Sequence, residues 1–262
     1  MNTVAIPLTR TEKILANRAL NTDEILRGCT ELRSKPFQVN IELIGICNII
    51  PPCLFCTGKN FGHNYATLDI SYLYKYDSFL NVCEKINEDS FGEPLMHPKL
   101  PDLARQITER GQRFTFVSNG LLLNKRRADE LIACGPSLGM HISVNAATAD
   151  TYYKLHGKPF DRLIENIVYF VSGYQQVHNG QPPDLTLTFI VMRINRAEVV
   201  AFMQFAQQLG VKSLLAPLHN RPSIPLGHFG YDFVYEDEML STEEYAAITD
   251  EVTAAGMQLH LA

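Results

Sequence analysis

From Phe37 onward, short β-rich runs alternate with amphipathic helical stretches, and this alternation restricts the fold more than any other feature of the chain. The strand candidates are Phe37–Ile46, Arg113–Ser118, Met140–Asn145, Asp184–Met192 and Lys212–Leu218, all but the last carrying β-branched or aromatic residues. A further strand is placed in the Asp89–Pro94 region, by its position in the alternation rather than by apolar content. Between them, Leu100, Leu103, Ala104 and Ile107 recur at helical spacing. So do Leu163, Ile167, Phe170 and Val171, and then Val199, Phe202, Met203, Ala206 and Leu209 ahead of Gly210. These stripes read as core-facing packing surfaces.

Strands separated by helices build a parallel sheet, because a parallel pair needs a crossover. About six strand–helix units fit between Phe37 and Leu218, too few for a closed eightfold barrel. The expected fold is therefore α/β, a partial, TIM-like (β/α)₆ barrel of parallel strands. Functional groups should collect at the C-terminal ends of those strands. Residues 1–36 read as a short helical N-terminal lead-in, with helices at Thr11–Ala19 and Asp23–Leu32, and residues 37–262 as the core domain. Residues 219–240, with Pro222, Pro225, Gly227 and Gly230, read as a long loop after the last strand.

A net charge of -5 argues against a general nucleic-acid binder, which needs a basic face. The local run Lys125-Arg126-Arg127 reads as a solvated helix start. No apolar run approaches the roughly 20 residues that span a bilayer, and Met1–Arg10 lacks the pattern of a secretory signal. The expected location is the cytoplasm, where cysteines serve as thiols, metal ligands or catalysts rather than as a disulfide framework. Cys29, Cys83 and Cys134 fall on predicted helices and read as buried structural thiols.

Cys47, Cys53 and Cys56 are different. They fall within ten residues, just past the first strand, in a loop that also carries Pro51-Pro52 and Phe55. Thiolates suit soft partners, either zinc or an iron–sulfur cluster. Three thiolates on a [4Fe–4S] cube leave one iron open for a small molecule, unlike a cluster with four cysteine ligands. Alternatively, His63 completes a tetrahedral Cys₃His zinc site with Cys47, Cys53 and Cys56, and the chain is a non-enzymatic interaction module. The cysteines alone leave both readings open.

With those residues in view, the sequence resembles the radical S-adenosylmethionine (SAM) superfamily over nearly all of Phe37–Gly256. The family's three-cysteine loop follows the first strand, commonly as C-x₃-C-x₂-C with an aromatic before the last cysteine. Cys53-Leu54-Phe55-Cys56 matches its second half, whereas the first gap is longer, giving C-x₅-C-x₂-C. Phe91-Gly92-Glu93-Pro94-Leu95 resembles the glycine–glutamate motif, with Phe91 where a first glycine is usual. Val117-Ser118-Asn119-Gly120 and Ile142-Ser143-Val144-Asn145-Ala146 resemble the ends of the third and fourth strands, and Asp150–Gly157 also looks familial.

The resemblance implies a [4Fe–4S] cluster on Cys47, Cys53 and Cys56, and S-adenosyl-L-methionine bound by Phe55, Gly92, Glu93, Ser143 and Asn145. Gly92 backbone and Glu93 would meet the SAM ammonium; Ser143 and Asn145 would meet its methionine and ribose parts. It also implies reductive cleavage of SAM to a 5′-deoxyadenosyl radical that takes hydrogen from a peptide, carbohydrate or other metabolite. The implied partners are an external one-electron donor, flavodoxin- or ferredoxin-like, and a small-molecule or peptide substrate, with no membrane and no nucleic acid. The branch resembled is the peptide- and sugar-modifying, SPASM-associated one, without its cysteine-rich C-terminal extension. The expectation is a shortened member, or one whose missing part comes from a partner.

Overall fold

A computed structural model describes residues 8–56, 67–76, 80–219 and 233–257. Six strands, β1 (Gln38–Ile41), β2 (Lys85–Glu88), β3 (Arg113–Ser118), β4 (Leu138–Ser143), β5 (Asp184–Val191) and β6 (Lys212–Pro217), form one sheet in chain order. Every neighbouring pair is parallel. Among the described residues β1 and β6 do not pair with each other, so the barrel is open, as the alternation requires.

Helices α1 (Arg10–Leu26), α2 (Leu100–Glu109), α3 (Lys125–Ile132), α4 (Ala149–His156), α5 (Phe160–Val177), α6 (Val199–Leu209), α7 (Tyr235–Glu238) and α8 (Thr242–Ala254) accompany the sheet among the described residues, with short 3₁₀ turns between. The apolar stripes read from the sequence are the buried faces: Leu100, Leu103, Ala104 and Ile107 on α2, and Leu163, Ile167, Phe170 and Val171 on α5. Along β5, burial alternates with the strand's period of two. Leu185, Leu187, Phe189 and Val191 face the helical layer, where the Phe189 ring lies 4.9 Å from Phe202 of α6. Ile190, on the other face, points into the open barrel and lines its cavity.

Several expectations shift. The second strand is Lys85–Glu88, not Asp89–Pro94, which forms the loop beyond it. Its inward positions are Ile86 and a buried carboxyl, Glu88, and that charged residue hid the alternation. The first strand ends at Ile41 because the Leu43 N–H leaves the ladder for the Ser90 hydroxyl (3.0 Å) and the Glu88 carboxyl (3.3 Å). The lead-in is one helix rather than two: α1 opens with a capping box between Thr9 and Glu12 and runs through Asp23 unbroken. Arg127 is not solvated but buried, donating to the backbone carbonyls of His97 and Pro98. Cys83 and Cys134 are buried as expected, but neither lies on a helix, and Cys29 is exposed just past the end of α1. Most of the 219–240 loop lies outside the described residues, as does His63.

Candidate cluster and cofactor site

The C-terminal ends of all six strands open on one cavity of about 350 Å³, within the roughly 300–1,000 Å³ range of small-molecule sites. The segment after β1 contributes Cys47, Cys53, Phe55 and Cys56; the loop after β2 contributes Ser90 to Glu93. Val117 to Asn119 come from β3 and its end, Ser143 and Asn145 from β4, Ile190 from β5, and Pro217 to His219 from β6. Every residue that the sequence assigned to the cluster or to SAM therefore lies in a single wall, although their positions span the chain from Cys47 to Asn145.

The cysteine loop is held by neighbours rather than by regular structure. Leu54 N–H donates to the Leu155 carbonyl of α4 (3.0 Å), Cys56 N–H to the Cys53 carbonyl (3.0 Å), and the Tyr235 hydroxyl of α7 to the Phe55 carbonyl (3.0 Å). Burial pushes the Cys47 and Cys53 thiols up; charge on Glu93 and Cys56 adds to the rise at Cys47, and charge on Cys56 and Cys47 adds to it at Cys53. Among the described residues no three His, Cys, Asp or Glu side chains stand close enough together to enclose a single metal ion.

Two glycines are set by the backbone here. Gly92 runs so close to the segment entering Cys47 that a Cβ would overlap the Ile44 and Ile46 carbonyls, and the Glu93 N–H bonds that Ile46 carbonyl (2.8 Å). Gly157 ends α4 in the left-handed conformation (φ 61°), which stops the helix immediately after His156.

The Glu93 carboxylate is fully buried and accepts from Leu95 N–H (3.0 Å), the Ser118 hydroxyl (2.7 Å) and Asn119 N–H (2.8 Å). Burial pushes its pKa up while those three donors oppose the rise. With about four lone-pair sites in all, it has one left for a ligand. Asn145 sits at φ 59° with no exposure; its Oδ1 accepts from Ile190 N–H (2.8 Å), and its Nδ2 is buried in the cavity wall with no hydrogen-bond partner. Asn195 locks this turn, donating to the Asn145 and Ile190 carbonyls (2.9 Å each) and accepting from Met192 N–H (2.7 Å).

Sequence reasoning missed three neighbours of the thiols. Asn119 donates towards Cys47 Sγ (3.7 Å) and to Asn48 Oδ1 (2.8 Å). His156 is buried with Nδ1 3.0 Å from Cys53 Sγ, and burial holds its pKa down at about 4, the Val144 backbone offsetting part of the effect. Tyr152, one helical turn back on α4, packs against His156 in a tilted pair at 4.5 Å. Asn119 and His156 lie inside motifs already noticed, but nothing local says which side chain turns to a sulfur.

The model of the radical SAM superfamily matches residues 41–206, which contain all three cysteines and the ends of the first five strands. The chain belongs to the radical SAM superfamily. A relative named "Probable GTP 3',8-cyclase" from Saccharolobus islandicus (strain Y.N.15.51 / Yellowstone #2) is 32% identical over 219 residues, covering 79% of this chain and 64% of its own length. A second, "AdoMet-dependent heme synthase" from Methanosarcina barkeri, is 26% identical over 184 residues, covering 68% and 49%. The chain thus spans less than two thirds of the length of these curated relatives. Among solved structures, Streptococcus suis SuiB bound to S-adenosylmethionine superposes with a TM-score of 0.68 at 16% identity, over 99% of this chain and 57% of that one, which shows the shared fold. Enzymes of this superfamily use a [4Fe–4S] cluster and SAM, together with a reductant and a substrate. No helix among the described residues is long and apolar enough to cross a membrane.

Proposed function

We propose that Cys47, Cys53 and Cys56 hold the [4Fe–4S] cluster, that SAM lies along the strand ends from Phe55 to Asn145, and that the enzyme removes a hydrogen atom from a peptide, carbohydrate or other metabolite. The observation that carries this reading is the single cavity onto which all three thiols and the ends of all six strands open. The residues present fit the group. Three soft thiolates lining one cavity suit a [4Fe–4S] cluster, and three of them leave one iron for a ligand. When bound, cluster and SAM together supply the chemistry, a one-electron cleavage that yields methionine and a 5′-deoxyadenosyl radical.

The chain's own residues bind, orient and exclude water. Gly92 lets the loop after β2 approach the cysteine segment without a side chain between them. Glu93 ties that loop to the end of β3 and keeps one acceptor site for an ammonium. Asn145 Nδ2, buried and unpartnered, is a donor in want of an oxygen, as a ribose or carboxylate would provide. Phe55 and Ile190 supply apolar wall, which keeps water from a reactive species. Residues 1–36 serve as a docked lead-in to a core of residues 37–262, and a flavodoxin- or ferredoxin-like protein in the cytoplasm supplies the electron.

Anaerobic reconstitution with iron and sulfide tests the reading. The expected product is brown protein with the iron content of one [4Fe–4S] cluster, releasing 5′-deoxyadenosine from SAM and dithionite. Cys53→Ala and Cys56→Ala should lose colour and cleavage together. Retained cleavage in either variant, or a colourless protein holding one zinc, would overturn the proposal.

A further inference from the structure

His156 is the last residue of α4, and three observations aim its ring at the cysteine loop. Nδ1 lies 3.0 Å from Cys53 Sγ, the Phe55 ring meets the imidazole edge-on at 5.5 Å, and the Tyr152 ring packs against it, tilted by 31°, at 4.5 Å. The helix end itself is tied to the loop through Leu54 N–H and the Leu155 carbonyl, which fixes the backbone on both sides of the contact. Nε2 is buried without a hydrogen-bond partner.

These facts settle where the ring hydrogen sits once Cys53 is a ligand. An iron-bound thiolate carries no proton, so the hydrogen in the contact belongs to Nδ1.

We propose that His156 is a positioning residue for the cluster: it donates an N–H···S hydrogen bond to the Cys53 thiolate and thereby raises the cluster's reduction potential. The inference rests on the cluster assignment above. Reduction adds negative charge that the sulfurs share, so a donor to sulfur favours the reduced state, and such bonds are among the levers that set cluster potentials.

The test is an EPR-monitored potentiometric titration of reconstituted wild type, His156→Leu and His156→Asn. His156→Leu should lower the equilibrium constant for reduction about tenfold, which is about 59 mV for a one-electron couple. His156→Asn, whose amide nitrogen falls near the place of Nδ1, should stay within about twofold of wild type. A cluster-loaded Leu variant with the wild-type potential would overturn the proposal. Should the Leu variant fail to load, pulsed EPR of reduced wild type carrying ¹⁵N-histidine decides. One histidine nitrogen should couple weakly to the cluster and vanish in His156→Asn, and no coupling would reject the bond. Wild type that loads no cluster would instead refute the cluster assignment, and this inference with it.

Discussion

Glu88 and Glu93 are buried carboxyls a few residues apart with opposite provision. Glu93 has three donors, whereas Glu88 has its Oε2 buried without a partner, and burial pushes its pKa up to about 8. The folded state therefore keeps a proton on Glu88 that the unfolded chain releases near its ordinary value. Between those two values the native state binds more protons, so stability falls as pH rises from about 4.5 to 8. Glu88→Gln should remove this dependence and stabilise the protein by more than about 1 kcal/mol at pH 8, with little gain at pH 5. Thermal melts across that range check it. Asn195 is a second residue whose worth lies in its bonds. Asn195→Leu strands two carbonyls and an N–H, and should cost about 2–4 kcal/mol in denaturant unfolding. It should also weaken SAM binding by releasing Asn145. At this scale the thiols and the Gly92-Glu93 pair were legible, because they are rare residue types in a recognisable spacing. His156 was not, because its partner sulfur lies 103 positions away.

Among the elements, α4 matters most to the site, since one end is tied to the cysteine loop and the other to the start of α6. Glu198 gathers the Ala147 and Thr148 N–H groups (2.6 and 3.1 Å) and the hydroxyls of Thr148 and Thr151 (2.6 and 2.5 Å) at the helix N-terminus. Partial burial raises the Glu198 pKa, but these donors outweigh it and hold the carboxylate below its ordinary range. Its contribution is present at neutral pH and disappears as pH falls through that depressed value. Glu198→Gln should cost about 0.5–2 kcal/mol at pH 7 and flatten the acid limb of a Tm–pH curve, the mutant and wild type converging at low pH. Helix faces were the easiest elements to read, since apolar residues at a period of 3.6 survive a glance at the sequence. β2 was displaced because its inward positions include a carboxyl, which no hydrophobic pattern announces.

For the molecule as a whole, the cavity draws on every strand from β1 to β6, so a bound molecule there tethers both open edges of the sheet. SAM at one hundred times its Kd should stabilise the reconstituted enzyme by about 2.7 kcal/mol, raising Tm by roughly 5–10 °C. Cys53→Ala should show no such rise in the same calorimetric scan. The strand–helix alternation, the parallel sheet and the gathering of three soft donors in one loop were legible from local pattern alone. Hydrophobic period and thiol chemistry are properties of short stretches, and they survive without knowledge of the partner. Which imidazole meets which sulfur, why Glu88 keeps its proton, and how Asn145 is left with a free donor depended on segments brought together only by the crossovers. Those are questions of distance and burial between residues far apart in the chain, and only the folded molecule sets them.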